Sequence, residues 1–138
     1  MGTVGHGART VQRASSLSFS ATLERVVAAI EAAGMRVFAQ IDHAAAAREV
    51  GLLMPPTTVV IYGNPLGGTP VMLAAPEAAL DLPLHVLVWE NDRGCASVAF
   101  RPITDVLQAA GVPQELAKKL QPAQTLVLDA LGALGARP

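Results

Sequence analysis

The sequence contains one cysteine, Cys95, among its 138 residues. One cysteine cannot form an internal disulfide, and no CxxC motif or paired Cys and His spacing points to structural zinc. His6, His43 and His85 are far apart in the sequence and give no metal-ligand pattern. We therefore expect no metal and no cofactor. The cysteine usage is consistent with a reducing, cytoplasmic compartment.

Charge of either sign is also sparse, since 10 Lys and Arg oppose 11 Asp and Glu, and these residues are spread along the chain without a long run of one sign. Such a surface has no basic patch for phosphate backbones or an anionic bilayer. No stretch approaches the roughly 18 to 20 uncharged apolar residues of a membrane-spanning helix. Arg9 and Arg13 interrupt the place where a secretory apolar region would lie. We expect neither nucleic acid nor a membrane as a partner.

Aromatic residues are few, with one Trp, one Tyr and three Phe, although 51% of the chain is apolar. The core should therefore be aliphatic. The length suits one domain that can bury a sufficient core. Residues 1–8 contain three glycines and are expected to form a flexible tail. Residues 9–138 are expected to form a single domain.

The apolar periodicity changes several times along the first half of the chain. A weak alternation predicts a first strand within residues 9–16. A helix is expected from Ser18 or Ser20 to Gly34, and a strand at 35–41 follows. Residues 42–51 predict a short helix that Asp42 caps and Gly51 ends. The β-branched stretch 58–63 predicts a strand buried on both faces.

The second half is punctuated by proline and by one strong turn signal. Four prolines in 64–83 favour one or two short helices, beginning near Thr69-Pro70 and Pro76. Asn-Asp-Arg-Gly between two β-rich runs predicts a hairpin with strands at 84–90 and 95–101. Helices should follow Pro102 and Pro113, with an interruption at Pro122. The order indicates an α+β fold, a mostly antiparallel sheet of about 4–5 strands covered by helices.

Four ordered stretches carry a family resemblance: GMRVFAQIDH, TTVVIYGNPLGGTPVM, ALDLPLHVLVWEN and VAFRP. Over residues 18–133 the chain resembles the domain-of-unknown-function 302 family, DUF302. The resemblance implies a small α+β domain of bacteria and archaea that tends to dimerise and has no established activity. Arg101 and His85 depart from the residues associated with the family at those positions.

The stretch VVIYGNPLGG, residues 59–68, joins a strand to a glycine-rich turn. It lacks the Lys of a phosphate-binding GxxxxGK[ST] loop and the GxGxxG of a dinucleotide loop. Gly63, Asn64 and Pro65 are typical of a structural turn. The alternative is a pocket wall, in which Asn64 and the amides of Gly67, Gly68 and Thr69 bind an anion at a helix N-terminus.

Asp42 and His43 form the most chemically suggestive pair in the sequence. An imidazole beside a carboxylate can transfer protons, with His43 as general base and Asp42 orienting it. An ordinary N-cap role explains Asp42 without any catalytic function and is the favoured interpretation. The first interpretation would make the protein a small hydrolase or isomerase, with Asn64 as a polar stabiliser.

Trp89 is predicted to fill either the core or a dimer interface, where large aromatic residues contribute much of the binding energy. Taken together, the sequence favours a non-enzymatic, homodimeric binding or assembly module. Segment 64–83 would fold over an aliphatic cleft that admits a small apolar or weakly anionic ligand. A dimeric building block without a ligand is a further alternative.

Overall fold

One five-stranded antiparallel sheet organises the protein, with strand order β1-β5-β4-β3-β2. The computed structural model describes residues 9–135 and the side chains of residues 9–131; the predicted tail at 1–8 lies outside the described residues. The strands are β1 (Val11–Ala14), β2 (Arg36–Asp42), β3 (Thr57–Gly63), β4 (Leu84–Glu90) and β5 (Ala96–Phe100).

Helices account for most of the connections. They are α1 (Phe19–Ala32), α2 (His43–Glu49), α3 (Pro65–Ala74), α4 (Ile103–Ala109), α5 (Gln114–Ala117) and α6 (Gln121–Gly135), with short 3₁₀ helices at Pro76–Leu80 and Lys118–Leu120. This arrangement confirms the predicted α+β fold with an antiparallel sheet.

The core lies on one face of the sheet. Val60 pairs with Val86, and Val88 pairs with Val98, so that these valines project from the same side of three neighbouring strands. The fully buried Ile30 of α1 belongs to the same cluster, as does Val127 of α6. Aliphatic packing between these two helices and the sheet therefore closes the core.

The prediction that residues 58–63 are buried on both faces is wrong. Thr58, Val60 and Tyr62 are buried, whereas Val59 and Ile61 between them are only half-buried. The reason is that the main helical layer covers a single face. Continuous β-branched sequence signals strand formation, but it does not reveal which face a helix will cover.

Segment 64–83 also differs from its prediction. Helix α3 begins at Pro65, not near Thr69-Pro70, because the Asn64 side chain accepts a hydrogen bond from the Leu66 amide at 2.9 Å and caps the helix. Pro70 lies inside α3. The 3₁₀ helix that starts at Pro76 follows as predicted.

The expected interruption falls within a residue of Pro122: α5 gives way to the 3₁₀ helix Lys118–Leu120, and α6 begins at Gln121 with this proline in its first turn. Proline is tolerated there because its missing N–H would have no helical partner. Two residues later, Gln124 is buried and fastens α6 to the connection between β5 and α4. Its Oε1 accepts from the Ile103 amide and its Nε2 donates to the Arg101 carbonyl, each at 2.9 Å.

Candidate ligand-binding cleft

A cleft of about 510 Å³ lies between segment 64–83 and the start of α6. Its volume falls in the range of about 300–1,000 Å³ that is common for small-molecule sites. The lining is formed by Ala33, Met35, Phe38, Gly63, Asn64, Pro65, Gly67, Gly68, Thr69, Met72, Leu82, Pro83, Leu84, Lys119, Leu120, Pro122, Ala123 and Leu126. The four residues predicted to bind a ligand, Asn64, Gly67, Gly68 and Thr69, are thus brought to one cleft; whether they bind one stays a prediction.

The cleft has an apolar floor and a more polar rim. Leu84 and Leu120 are buried and, with Gly63, form the floor. Asn64, Thr69 and Lys119 are exposed. A ligand that entered would therefore lose water against aliphatic groups at depth and meet polar groups only near the opening.

The backbone at the start of α3 is not arranged as the predicted anion site requires. The amides of Gly67 and Gly68 both donate to the Asn64 carbonyl, at 2.9 and 3.0 Å. The Leu66 amide donates to the Asn64 side chain. Because these donors are already engaged inside the helix, the glycines offer the cleft a surface and not free N–H groups.

The two glycines of α3 serve different contacts. A Cβ atom added to Gly67 would lie 3.3 Å from Cδ2 of Leu120, tighter than ordinary van der Waals contact. A Cβ atom added to Gly68 would meet Leu82 Cδ1 at 3.9 Å and Met72 Cε at 4.0 Å, and both of these residues line the cleft. Gly67 thus permits close packing, and Gly68 keeps the wall of the cleft free of a side chain.

Tyr62 holds the start of α6 against the sheet beside this cleft. Its hydroxyl donates to the carbonyl oxygen of Ala123, a lining residue, at 3.0 Å. The ring is fully buried, and burial raises the pKa of the Tyr62 phenol well above its ordinary value. Tyr62 is therefore a neutral hydrogen-bond donor that fixes one wall.

Asp42 and His43 lie elsewhere. Asp42 is the N-cap of α2, since its Oδ1 accepts from the Ala45 amide at 2.8 Å. Both residues are exposed, and neither lines the cleft. The acid–base interpretation requires Asp42 and His43 to lie near Asn64, and the structure does not place them there. Among residues 9–131, no group of three or more His, Cys, Asp or Glu side chains could hold a metal ion.

Trp89 is half-buried on the sheet face opposite the core, where its partners in register are Thr57 and Ser97. It therefore does not join the core cluster. His85 projects from the same face and lines a second cleft of about 380 Å³ together with Asp81 and Arg101. The sequence indicated His85 only as a departure from the family pattern and not as a metal ligand.

Three parts of the main cleft were missed from the sequence: Met35 with Phe38, Leu82 with Pro83, and the α5–α6 junction at Lys119 and Leu120. The proline-rich covering segment was a usable signal for the second part. No local pattern signals the other two, since tertiary packing alone brings them beside α3.

The fold and the cleft define a class: a small α+β protein with helices packed mainly on one face of an antiparallel sheet and an apolar cleft at its edge. The family model described as Domain of unknown function DUF302 matches residues 11–133. The chain belongs to this family.

Solved and curated proteins extend the comparison. The crystal structure of an uncharacterized conserved DUF302 protein from Bacillus stearothermophilus is similar with a TM-score of 0.80 and 19% identity, over 88% of this chain and 97% of that one. Fluoride-specific ion channel FluC 1 of Brucella suis is 46% identical over 77 residues, 56% of this chain and 30% of the relative. FluC 1 of Brucella abortus and FluC 2 of Brucella melitensis are each 46% identical over 77 residues, which are 28% of their length.

The chain thus spans less than a third of these curated relatives. Within residues 9–135, the structure contains no helix of sufficient length and apolarity to cross a membrane.

Proposed function

We propose that the protein is a non-enzymatic, homodimeric binding module whose cleft takes a small apolar or weakly anionic ligand. The observation that carries this proposal is the cleft of about 510 Å³ under segment 64–83, with its buried aliphatic floor. Sites of this size and character are typical of small-molecule binding.

The placement of the polar groups supports binding over catalysis. The cleft lacks a His, Asp, Glu or Cys among its described lining residues. The acid–base pair of the alternative hypothesis, Asp42 and His43, lies outside it, with Asp42 engaged as a helix cap. General acid–base chemistry needs a titratable group within hydrogen-bond reach of the substrate, and Lys119 at the exposed rim is the one such side chain among the described lining residues.

The face of the sheet opposite the core supports the homodimer. Ile41, Val59 and Leu87 lie in successive registered pairs across three strands and give this face a row of apolar side chains, while Ala99, the partner of Leu87, is already buried. Trp89 stands beside that row. The exposed Leu53 and Met54 precede β3 at the end where Thr57 pairs with Trp89. Association of two such faces would remove this apolar area from water.

The ligand proposal is tested with protein purified from its own host by native mass spectrometry, followed by thermal unfolding across a metabolite panel. We expect a retained small molecule or a ligand that raises the melting temperature, because binding to the folded state alone stabilises it. A Gly68→Leu variant, which places a side chain into the cleft, should lose both effects. A ligand-free protein with no response to the panel would contradict the proposal.

The curated relatives favour a second candidate, a domain that acts beside a fluoride channel. Its support is the 46% identity over 77 residues to proteins of that name. Thermal unfolding in matched concentrations of sodium fluoride and sodium chloride tests direct recognition. A rise specific to fluoride is expected if the domain senses the ion, and identical curves would contradict that role.

A further inference from the structure

We infer that the ligand of the cleft is a monocarboxylate with a flexible aliphatic chain, whose carboxylate lies at the rim beside Lys119. This inference rests on the proposed binding function and adds the chemical class of the ligand and its orientation. Three observations carry it: the charge of the lining, the hydrogen-bonding character of the rim and the shape of the floor.

Lys119 is the one charged residue among the described residues that line the cleft. No carboxylate of residues 9–131 forms an ion pair with it. Its ammonium group is therefore available to a ligand. A carboxylate placed there gains a charge-assisted hydrogen bond, whereas an ammonium head group would be repelled.

The other polar groups of the rim also favour a carboxylate over an ammonium group. The Oδ1 of Asn64 already accepts from the Leu66 amide, so the side chain offers the cleft its NH₂ donors. Thr69 adds a hydroxyl, which donates as readily as it accepts. Lys119, Asn64 and Thr69 together thus present more donors than acceptors, and a carboxylate presents only acceptors.

Lys119 also lies next to the deepest part of the site. It directly precedes Leu120, a floor residue whose Cδ2 packs against Gly67. One ligand can therefore place its head at Lys119 and its chain along the floor without spanning a second polar region. The orientation is head toward solvent and chain toward Leu84 and Leu120.

The apolar wall suits a flexible chain. Met35 and Met72 both line the cleft, and unbranched thioether side chains adapt to irregular ligand shapes. Leu82 and Leu126 supply branched aliphatic surface beside them. Each methylene buried here removes apolar surface from water and so adds to the affinity. The chain of the ligand would supply most of the affinity, and the carboxylate its orientation.

The test compares three unbranched probes of eight carbons each, octanoate, octanol and octylamine, whose head groups are a carboxylate, a hydroxyl and an ammonium. Isothermal titration calorimetry of the full chain measures binding of each. We expect octanoate to bind most tightly and octylamine least. Replacing Lys119→Gln should weaken octanoate by about two- to fivefold, the range of an exposed ion pair, and leave octanol unchanged.

Lys118→Gln is the matched control, because Lys118 is the neighbouring exposed lysine and does not line this cleft. It should leave octanoate binding as in the wild type. Lys119→Glu should invert the order, so that octylamine binds more tightly than octanoate. Melting temperatures of the variants confirm that they remain folded.

The possible failures are distinguishable. If octanol and octanoate bind equally and Lys119→Gln changes neither, the carboxylate inference is overturned while the apolar cleft stands. If Lys118→Gln and Lys119→Gln weaken octanoate alike, the effect is general surface charge and the inference is again overturned. If no probe binds, the carboxylate inference is overturned, and the binding function is then decided separately by the native mass spectrometry and the metabolite panel.

Discussion

Gly67 and Leu120 lie in such close contact that a Cβ atom on the glycine would be 3.3 Å from Cδ2 of the leucine. The next residue, Gly68, has its nearest such neighbour at 3.9 Å, on Leu82. The two adjacent positions of α3 therefore accommodate glycine for different structural reasons. One allows the helix to approach the 3₁₀ helix Lys118–Leu120, and the other faces the cleft.

This difference predicts that Gly68→Ala stabilises the protein and that Gly67→Ala stabilises it less. A methyl group on Gly68 meets no close atom, and alanine restricts the unfolded chain, so a gain of about 0.4–1 kcal/mol is expected. At Gly67, displacement of Leu120 offsets that gain. Urea unfolding followed by Trp89 fluorescence measures both. A Gly68→Ala protein less stable than Gly67→Ala would contradict the assignment.

The buried phenol of Tyr62 predicts a specific loss of stability in alkali. Its pKa is raised in the folded protein, so the folded state holds this proton more tightly than the unfolded chain does. The contribution is fully present below the ordinary tyrosine pKa of about 10. It is lost as the pH rises above that value, by at most about 1.4 kcal/mol per pH unit.

Tyr62→Phe is the matched variant, since it retains the ring and removes the titrating hydroxyl. At neutral pH it should cost about 1 kcal/mol, from the lost hydrogen bond to Ala123. Above about pH 10 its free energy of unfolding should fall less steeply than that of the wild type. Because every other titratable group is the same in both proteins, the difference between them isolates Tyr62. Parallel alkaline curves would contradict the prediction.

The N-cap role of Asp42 predicts how its substitutions rank. Asp42→Asn retains an acceptor for the Ala45 amide, so it should keep nearly wild-type stability. Asp42→Ala should lose about 1 kcal/mol. Chemical denaturation measures both. Equal losses in the two variants would mean that the negative charge, and not the cap, is what the position requires.

Most of the fold could be predicted from local sequence signals, because those signals act through neighbouring residues. Asp42 caps α2 as expected, and Gly34 and Gly51 take positive φ angles of 80° and 82° where helices were predicted to end. The hairpin follows from Asn91, whose side chain accepts from the Arg93 and Cys95 amides. These interactions span only a few residues.

The cleft was harder to predict because it joins distant segments. The glycine-rich turn indicated Asn64 and Thr69 as possible cleft residues. No local pattern indicated Lys119, because its position beside α3 depends on how α5 and α6 pack. The exposed state of one sheet face was also not predictable. Val59 and Val60 are adjacent residues of the same type. Only the position of the helical layer makes Val60 buried and leaves Val59 half-buried.

Trp89 allows the dimer to be tested without altering the core or the main cleft. It is half-buried on the sheet face opposite the core, beside the apolar row that includes Leu87. A large aromatic residue at the centre of an interface commonly contributes about 2 kcal/mol or more, which corresponds to roughly thirtyfold in the dissociation constant. Trp89→Ala should therefore weaken the dimer by about that factor.

Sedimentation equilibrium over a concentration series measures the dissociation constant of wild type and variant. Leu73→Ala is the control, because Leu73 is 80% exposed and belongs to α3, away from this face, so it should leave association unchanged. A wild-type protein that stays monomeric would contradict the proposed dimer. A Trp89→Ala protein that dimerises as tightly as wild type would show that the dimer does not form through this face. Since the face and the cleft are formed by different residues, that result would leave the binding proposal intact.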